Sequence, residues 1–314
     1  MNIKNLLILS MVKHVGPAYV KKNIARLSQE SDCIKIVHEV SPSELDNLDY
    51  YAQAAEEIIS VCHKNNIEMI SIFDLSYPQQ LLEISDPPSV LYLKGNKSLL
   101  QQVFAIIGTR RSTELGNKIA EKVGQYFSLH FAICNGLVEG IDEHAIYIEG
   151  KVSKNVVGVI SGGLCYRETC SEPHVRVIED VLLAGGLIVS EFPPYQKEDA
   201  YSGSKASRIQ AGLSHGLILI QSKVDGGSKY TLAKYSKLGR PIGIIHYPSS
   251  KEYATDVFGA NRLILEKGKE GIGQMLDIKK GSTLNVGEIL AISDKSDYEK
   301  LIKVTQSHMF GKLF

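Results

Sequence analysis

The residues best suited to hold charge lie in one short stretch, GTRRSTELG, at positions 108–116. It follows the apolar run VFAII. Gly108 lets a backbone approach a ligand closely. Thr109 leads into Arg110 and Arg111, whose guanidinium forks match phosphate oxygens. A helix is expected to start near Ser112 or Thr113, and the free N–H groups of a helix start attract anions. The chemistry implied is phosphate binding. The spacing is neither GxGxxG nor a Walker loop, so neither a dinucleotide fold nor a P-loop ATPase is indicated.

Three more loops carry polar or glycine-rich residues. In CNGLVEGIDEHA (134–145), Asn135, Gly136 and Gly140 open a loop after an apolar run, and Asp142 is expected to cap the next helix rather than to catalyse. In SKASRIQAGLSHG (204–216), Lys205 and Arg208 are cations able to face the same anion site. GLSHG formally matches a nucleophile elbow, but that motif needs a strand before the serine and a helix after it. Here a helical stretch precedes and the strand-like GLILIQ follows, so a serine hydrolase is rejected. In KVDGGSKYTLAKYSKLGRP (223–241), Gly226, Gly227 and Ser228 precede Lys229, and a helix is expected to open near Tyr230 or Thr231. This makes a second backbone nest for an anion, and also a tight turn that needs glycine. Tyr166, Tyr195, Tyr201 and Tyr230 lie in or near these loops, where aromatic rings can stack on bases.

The elements that must position these loops are short Ile- and Val-rich runs: VFAIIG, FAICNG, NVVGVIS, GLIVSEF, GLILIQS and PIGIIHY. Each is apolar on nearly every residue, the mark of a strand covered on both faces. Helix-length segments separate most of them, which argues for a doubly wound, mostly parallel α/β sheet. In such sheets ligands bind beyond the carboxyl ends of the strands, where these loops lie. Residues 1–75 read as helical and suggest a small helical domain of the helix-hairpin-helix or SAM-like kind, with Gly16 ending one helix and Pro17 opening the next. The segment from Glu39 to Glu57 is acidic, so packing or protein contact is as plausible for this domain as nucleic-acid contact. Residues 281–314 form an appendage in which VGEILAIS and YEKLIKVTQSHMF both suit helices.

Lys and Arg total 35, as do Asp and Glu, so the net charge is zero and any nucleic-acid contact must rest on a local patch. The five cysteines form no CxxC pair, which fits a reduced, cytoplasmic chain. Cys165, Cys170 and His174 cluster in sequence but lack a fourth ligand at a familiar spacing, so packing rather than metal binding is expected. LLILSMV is too short to span a bilayer and is not followed by a small-residue cleavage site, so neither a membrane anchor nor a secretory signal is expected.

Taken in order, YPQQLLEISDPPSVLYLKGN, AIIGTRRSTELG, NGLVEGIDEHA, GLIVSEFPP, SRIQAGLS, GGSKYTLAKYSKLGRP and GANRLILEKG resemble the DNA-processing protein A family (DprA, also called Smf). The likeness runs from about Tyr77 to Gly268, and the helical start resembles the family's SAM-like domain. It implies an extended Rossmann-like domain over 76–280 that binds single-stranded DNA, usually as a homodimer, and that loads a recombinase onto DNA. It implies no catalysis, cofactor or metal. The family's motifs are partly rewritten here. The serine of SGxAxGID is Asn135, and its histidine falls on Ile146. RNRI is Ala206-Ser207-Arg208-Ile209. VEA is Ile220-Gln221-Ser222, and SGS is Gly226-Gly227-Ser228. The YP after the third strand is absent, and no winged-helix tail is recognisable.

Three functions compete at this point. The first is a DprA-like binder of single-stranded DNA. The second is a DprA-like antitoxin or regulator in a phage-defence locus that restrains a partner toxin, which the acidic N-terminal segment and the missing tail fit. The third is a nucleotide sensor or hydrolase, for which GGSKYTL and Glu191 are the residues to suspect, although no nucleophile–base pair is evident.

Overall fold

The computed structural model describes residues 1–30, 32–199, 201–278 and 284–311. Its strands are β1 (Glu68–Ser71), β2 (Val90–Gly95), β3 (Val103–Ile107), β4 (Ala132–Asn135), β5 (Tyr147–Ile148), β6 (Lys151–Val152), β7 (Val156–Val159), β8 (Leu187–Ser190), β9 (Gly216–Leu219), β10 (Ile242–Ile245) and β11 (Ile289–Ile292). β5 and β6 form a small ribbon, and the other nine make one sheet in the order β1-β2-β8-β7-β4-β3-β9-β10-β11. β2 runs antiparallel to β1 and β8, while the remaining pairings are parallel. Every residue of β3, β4, β7, β8, β9 and β10 is buried. That is why these runs carry no polar alternation: helices cover both faces.

From β3 the chain steps outward through β4, β7 and β8, then returns to the other side of β3 as β9 and continues to β10 and β11. The order therefore reverses between β3 and β9. Loops leaving two such strands diverge and open a crevice at their carboxyl ends. The stretch GTRRST leaves β3, and KVDGGS follows β9.

The described residues of 1–64 are mostly helical, with Leu6, Leu9, Leu27, Ile36 and Ala55 fully buried. Pro17 opens helix Pro17–Lys22 as expected, but Gly16 caps that start, and the preceding helix ends at Val12 instead. Two boundaries differ from expectation. β1 lies inside the segment assigned to the helical domain, yet it pairs with β2 as the sheet's edge strand. At the other edge, VGEILAIS supplies a strand and not a helix. Ile242 of β10 pairs with Ile289, and a helix there would leave the outer backbone groups of β10 without partners. The segment YEKLIKVTQSHMF falls in helix Lys295–Gly311, as the pattern suggests. Leu301 of that helix packs beside Gly243 of β10, so residues 284–311 belong to the main sheet rather than hanging from it. The expected boundary at 280/281 and the last three residues lie outside the described residues. Among the described residues no helix is long and apolar enough to cross a membrane.

Candidate nucleic-acid interface

The two loops at the switch point are stitched together. Thr109 N donates to Gln221 O at 2.9 Å, Thr113 N donates to Gln221 Oε1 at 3.0 Å, and Gln221 Nε2 donates to Thr113 Oγ1 at 2.9 Å. Thr113 is the N-cap of helix Glu114–Phe127 and accepts from Gly116 N at 3.2 Å. Its hydroxyl donates in turn to the carboxylate of Glu252. The helix start expected to hold a foreign anion therefore already carries one of the protein's own. Thr109 Oγ1 accepts from Arg111 N at 3.2 Å and shapes the bend, while the Ser112 hydroxyl turns back to Asn117. Arg110 and Arg111 are exposed, and neither has an ion-pair partner among the described residues.

The neighbouring loop, after β4, has a structural role. Asn135 is fully buried: Nδ2 donates to Asp142 O at 2.9 Å, and Oδ1 accepts from Leu137 N at 3.0 Å. Gly136 N donates to Asp142 Oδ2 at 2.8 Å. The side chain of Asn135 and the N–H of Gly136 are thus spent within the loop, contrary to the ligand role expected of them. Asp142 does not cap the following helix Ile141–Ile146, whose N-cap is Gly140; it ties down the loop before it. Burial pushes its carboxyl up to about 7, against the opposing pull of the Gly136 N–H and of Arg110. Gly140 has φ +86°, and a Cβ there would lie 2.5 Å from both Thr109 O and Arg110 O. Gly108 is likewise needed for packing, since its Cβ would fall 2.5 Å from Ile141 Cγ1. Glycine here seats the arginine loop on the next helix rather than admitting a ligand.

Arg208 does not face the anion site as a free cation. It is 5% exposed and gives both terminal nitrogens to Glu191, at 3.0 and 2.7 Å, while Nε reaches Asp86 at 2.9 Å. Burial works against its charge, but Glu191 and Asp86 outweigh burial and raise its pKa. Lys205, on the same helix (Ser202–Leu213), is exposed, with Nζ 5.5 Å above the Phe192 ring. In the glycine loop after β9, Ser228 is buried and its hydroxyl pairs with that of Ser222 at 2.6 Å. A Cβ on Gly226 would sit 2.6 Å from the Ser222 hydroxyl, whereas Gly227 borders open space. The turn reading holds for Gly226 and Ser228. Helix Lys229–Tyr235 starts at Lys229, slightly earlier than expected, with Lys229 Nζ 5.7 Å over the Tyr230 ring. Tyr195, Tyr201 and Tyr230 are 50%, 76% and 52% exposed. Tyr166 is half-buried beneath Lys94.

Three groups shape these loops without a role that the sequence assigns to them. Gln221, a polar residue ending a buried strand, was a usable signal for a loop staple. Glu252 comes from a distant segment, and no local pattern marks it. Glu198 meets Cys170 and His174 beside a cleft of about 250 Å³ that Arg110 also lines. Cys165 does not join them; its thiol lies beside Tyr195. Burial alone would lower the pKa of His174, but the Cys170 thiol and Glu198 carboxylate reverse this and raise it to about 9.

A mostly parallel α/β sheet whose order reverses between β3 and β9, with exposed arginines on the loop leaving β3, defines a fold of the extended Rossmann-like class. Residues 68–279 match the family model of DNA recombination-mediator protein A, and the chain belongs to that family. It is 29% identical over 231 residues to DNA processing protein DprA of Bacillus subtilis (strain 168), covering 70% of this chain and 73% of that one. The corresponding protein of Streptococcus pneumoniae (strain ATCC BAA-255 / R6) is 31% identical over 173 residues, covering 55% and 60% of the two chains. The X-ray structure of DprA from Streptococcus pneumoniae superposes over 96% of this chain and 98% of its own, with a TM-score of 0.64 and 22% identity. The Helicobacter pylori DNA processing protein A, whose structure describes a single-stranded DNA binding mode, covers 76% of this chain and 98% of its own with a TM-score of 0.59 and 21% identity.

Proposed function

We propose that this chain is a DNA-processing protein that binds single-stranded DNA along its switch-point loops, without catalysing a reaction on it. One observation carries the reading: Arg110 and Arg111 on the loop after β3, Lys229 at the start of the helix after β9 and Lys205 on helix Ser202–Leu213 are free of carboxylate partners among the described residues, and Tyr195, Tyr201 and Tyr230 are exposed. Charge tracks a phosphate backbone, and exposed rings stack on bases without regard to sequence. The chain is neutral overall, so binding depends on this patch. The single-stranded DNA mode of the Helicobacter pylori relative supports the same assignment. The hydrolase alternative is weakened because both oxygens of Glu191 are held by Arg208. A homodimer that passes its DNA to a recombinase belongs to the same reading.

The test is binding to a labelled single strand across a salt series. Each neutralised phosphate adds about 0.7 to the slope of log K against log salt. Arg110→Ala/Arg111→Ala is expected to lower that slope by about 1.4. An unchanged slope in the double variant would remove these arginines from the interface. Absence of binding at low salt would refute the function itself and point to a protein partner.

A further inference from the structure

Cys170, His174 and Glu198 converge from separate segments. Cys170 ends the short helix Tyr166–Thr169, His174 lies in the first turn of helix Glu172–Leu183, and Glu198 comes from the loop after β8. One ligand-type atom from each lies within 4.8 Å of the other two. Glu198 Oε1 is 3.6 Å from His174 Nδ1 and 3.8 Å from Cys170 Sγ. In a tetrahedral zinc site, with bonds of about 2.0–2.3 Å, ligand atoms stand about 3.5 Å apart. Both Glu198 separations are close to what a single ion imposes, and the third, between Cys170 and His174, is within 4.8 Å.

A second observation concerns the histidine ring. Its Nε2 is 3.1 Å from Gly136 O. A carbonyl can only accept, so Nε2 carries a proton, and Nδ1 is the nitrogen that faces Glu198, where a cation would take the place of a proton. Histidines that bind metals are commonly oriented this way, by donating the other ring N–H to a carbonyl or carboxylate. His174 and Glu198 line the cleft of about 250 Å³ that Arg110 borders, which gives an ion a route from solvent.

We propose that Cys170 Sγ, His174 Nδ1 and Glu198 Oε1 form a site for a borderline divalent cation, Zn²⁺ in the first instance, with its fourth position open to the cleft. One sulfur, one nitrogen and one carboxylate oxygen suit zinc, whereas magnesium and calcium prefer oxygen ligands throughout. The ion would tie the loop carrying Glu198 to the Gly136 carbonyl, through the same imidazole, and so brace the loop beside Arg110. This inference does not depend on DNA binding.

The experiment uses the purified full chain, stripped with chelator and titrated with Co²⁺ and then Zn²⁺. Saturable uptake of one equivalent of Co²⁺ is expected, with the near-ultraviolet charge-transfer band of a cobalt–thiolate bond. Cys170→Ser should lose the band, and Glu198→Gln should weaken uptake at least about tenfold. Zn²⁺ should also slow alkylation of Cys170 in the unmutated chain, read by peptide mass spectrometry, which tests the site even if Cys170→Ser folds poorly. Three results would overturn the proposal: no stoichiometric uptake, a band retained in Cys170→Ser, or alkylation at Cys170 indifferent to Zn²⁺. In that case the cluster is held by its hydrogen bonds and ion pair alone.

Discussion

Replacing Arg208 with alanine separates a structural role from a DNA-binding one. The Arg208 side chain is 6% exposed and the Glu191 carboxylate that takes both its terminal nitrogens is 10% exposed, whereas Asp86, bonded to Nε, is 36% exposed. Asp86 can rehydrate when its partner is lost, and exposed pairs contribute little. Glu191 cannot, and stranding one member of a buried pair costs about 3–5 kcal/mol. Arg208→Ala is therefore expected to destabilise the chain by about that amount in urea unfolding. Removing the stranded charge as well, in Arg208→Ala/Glu191→Ala, should recover part of the loss, with a coupling of about 1–3 kcal/mol across the double-mutant cycle. Folded Arg208→Ala should keep the parent's salt slope for single-stranded DNA, because its charge is already neutralised inside the protein. A loss below about 1 kcal/mol, additive behaviour in the cycle, or a reduced salt slope would each refute this argument.

Two further perturbations probe the loop beneath the arginines. The Asp142 carboxyl, at about 7 when folded against an ordinary 3.8, makes the folded state hold the extra proton. Its contribution to stability is thus fullest below about pH 4 and declines as pH rises towards 7. Asp142→Asn should remove that decline, so parallel stability–pH profiles for variant and parent would contradict the assignment. Gly140→Ala meets both a positive φ and two carbonyl oxygens, whereas Gly150, at φ +74°, has nothing within 4 Å of its would-be Cβ. Gly150→Ala should cost about 1 kcal/mol from backbone conformation alone, and Gly140→Ala clearly more; equal losses in thermal unfolding would show that the loop gives way without strain.

The sheet was legible because its strands are buried on both faces, and unbroken Ile- and Val-rich runs such as VFAII, NVVGV and GLILI announce that burial without reference to neighbours. The two edge strands were not. β1 and β11 are short and only partly buried, and they become strands because β2 and β10 offer unpaired backbone groups, which no local pattern records. The candidate site divides the same way. The cationic loop at Arg110 and Arg111 could be seen from residue types placed after a strand. Which cations stay free could not, because Arg208 is claimed by Glu191, 17 positions away, and by Asp86, 122 positions away. Asn135 and Gly136 look like ligand groups in sequence because a loop's internal hydrogen bonds use the same residue types as a binding loop. The likeness to the DprA family captured the scaffold from about Tyr77 to Gly268, within the 68–279 that the family model matches, but it could not foresee how residues at the rewritten positions would pair.

Glu252, half-buried and held by the hydroxyl of Thr113 at the start of helix Glu114–Phe127, makes that start a contested position. A carboxylate tethered to its donor acts at an effective concentration in the millimolar range or above. A free monovalent anion must outcompete it with a single contact. A polyanionic strand need not, because it can anchor on Arg110 and Arg111 first and contest the helix start from an already bound position. On the proposed reading, the tether would act as a filter on valency, screening out small phosphates in solution and admitting continuous phosphate backbones.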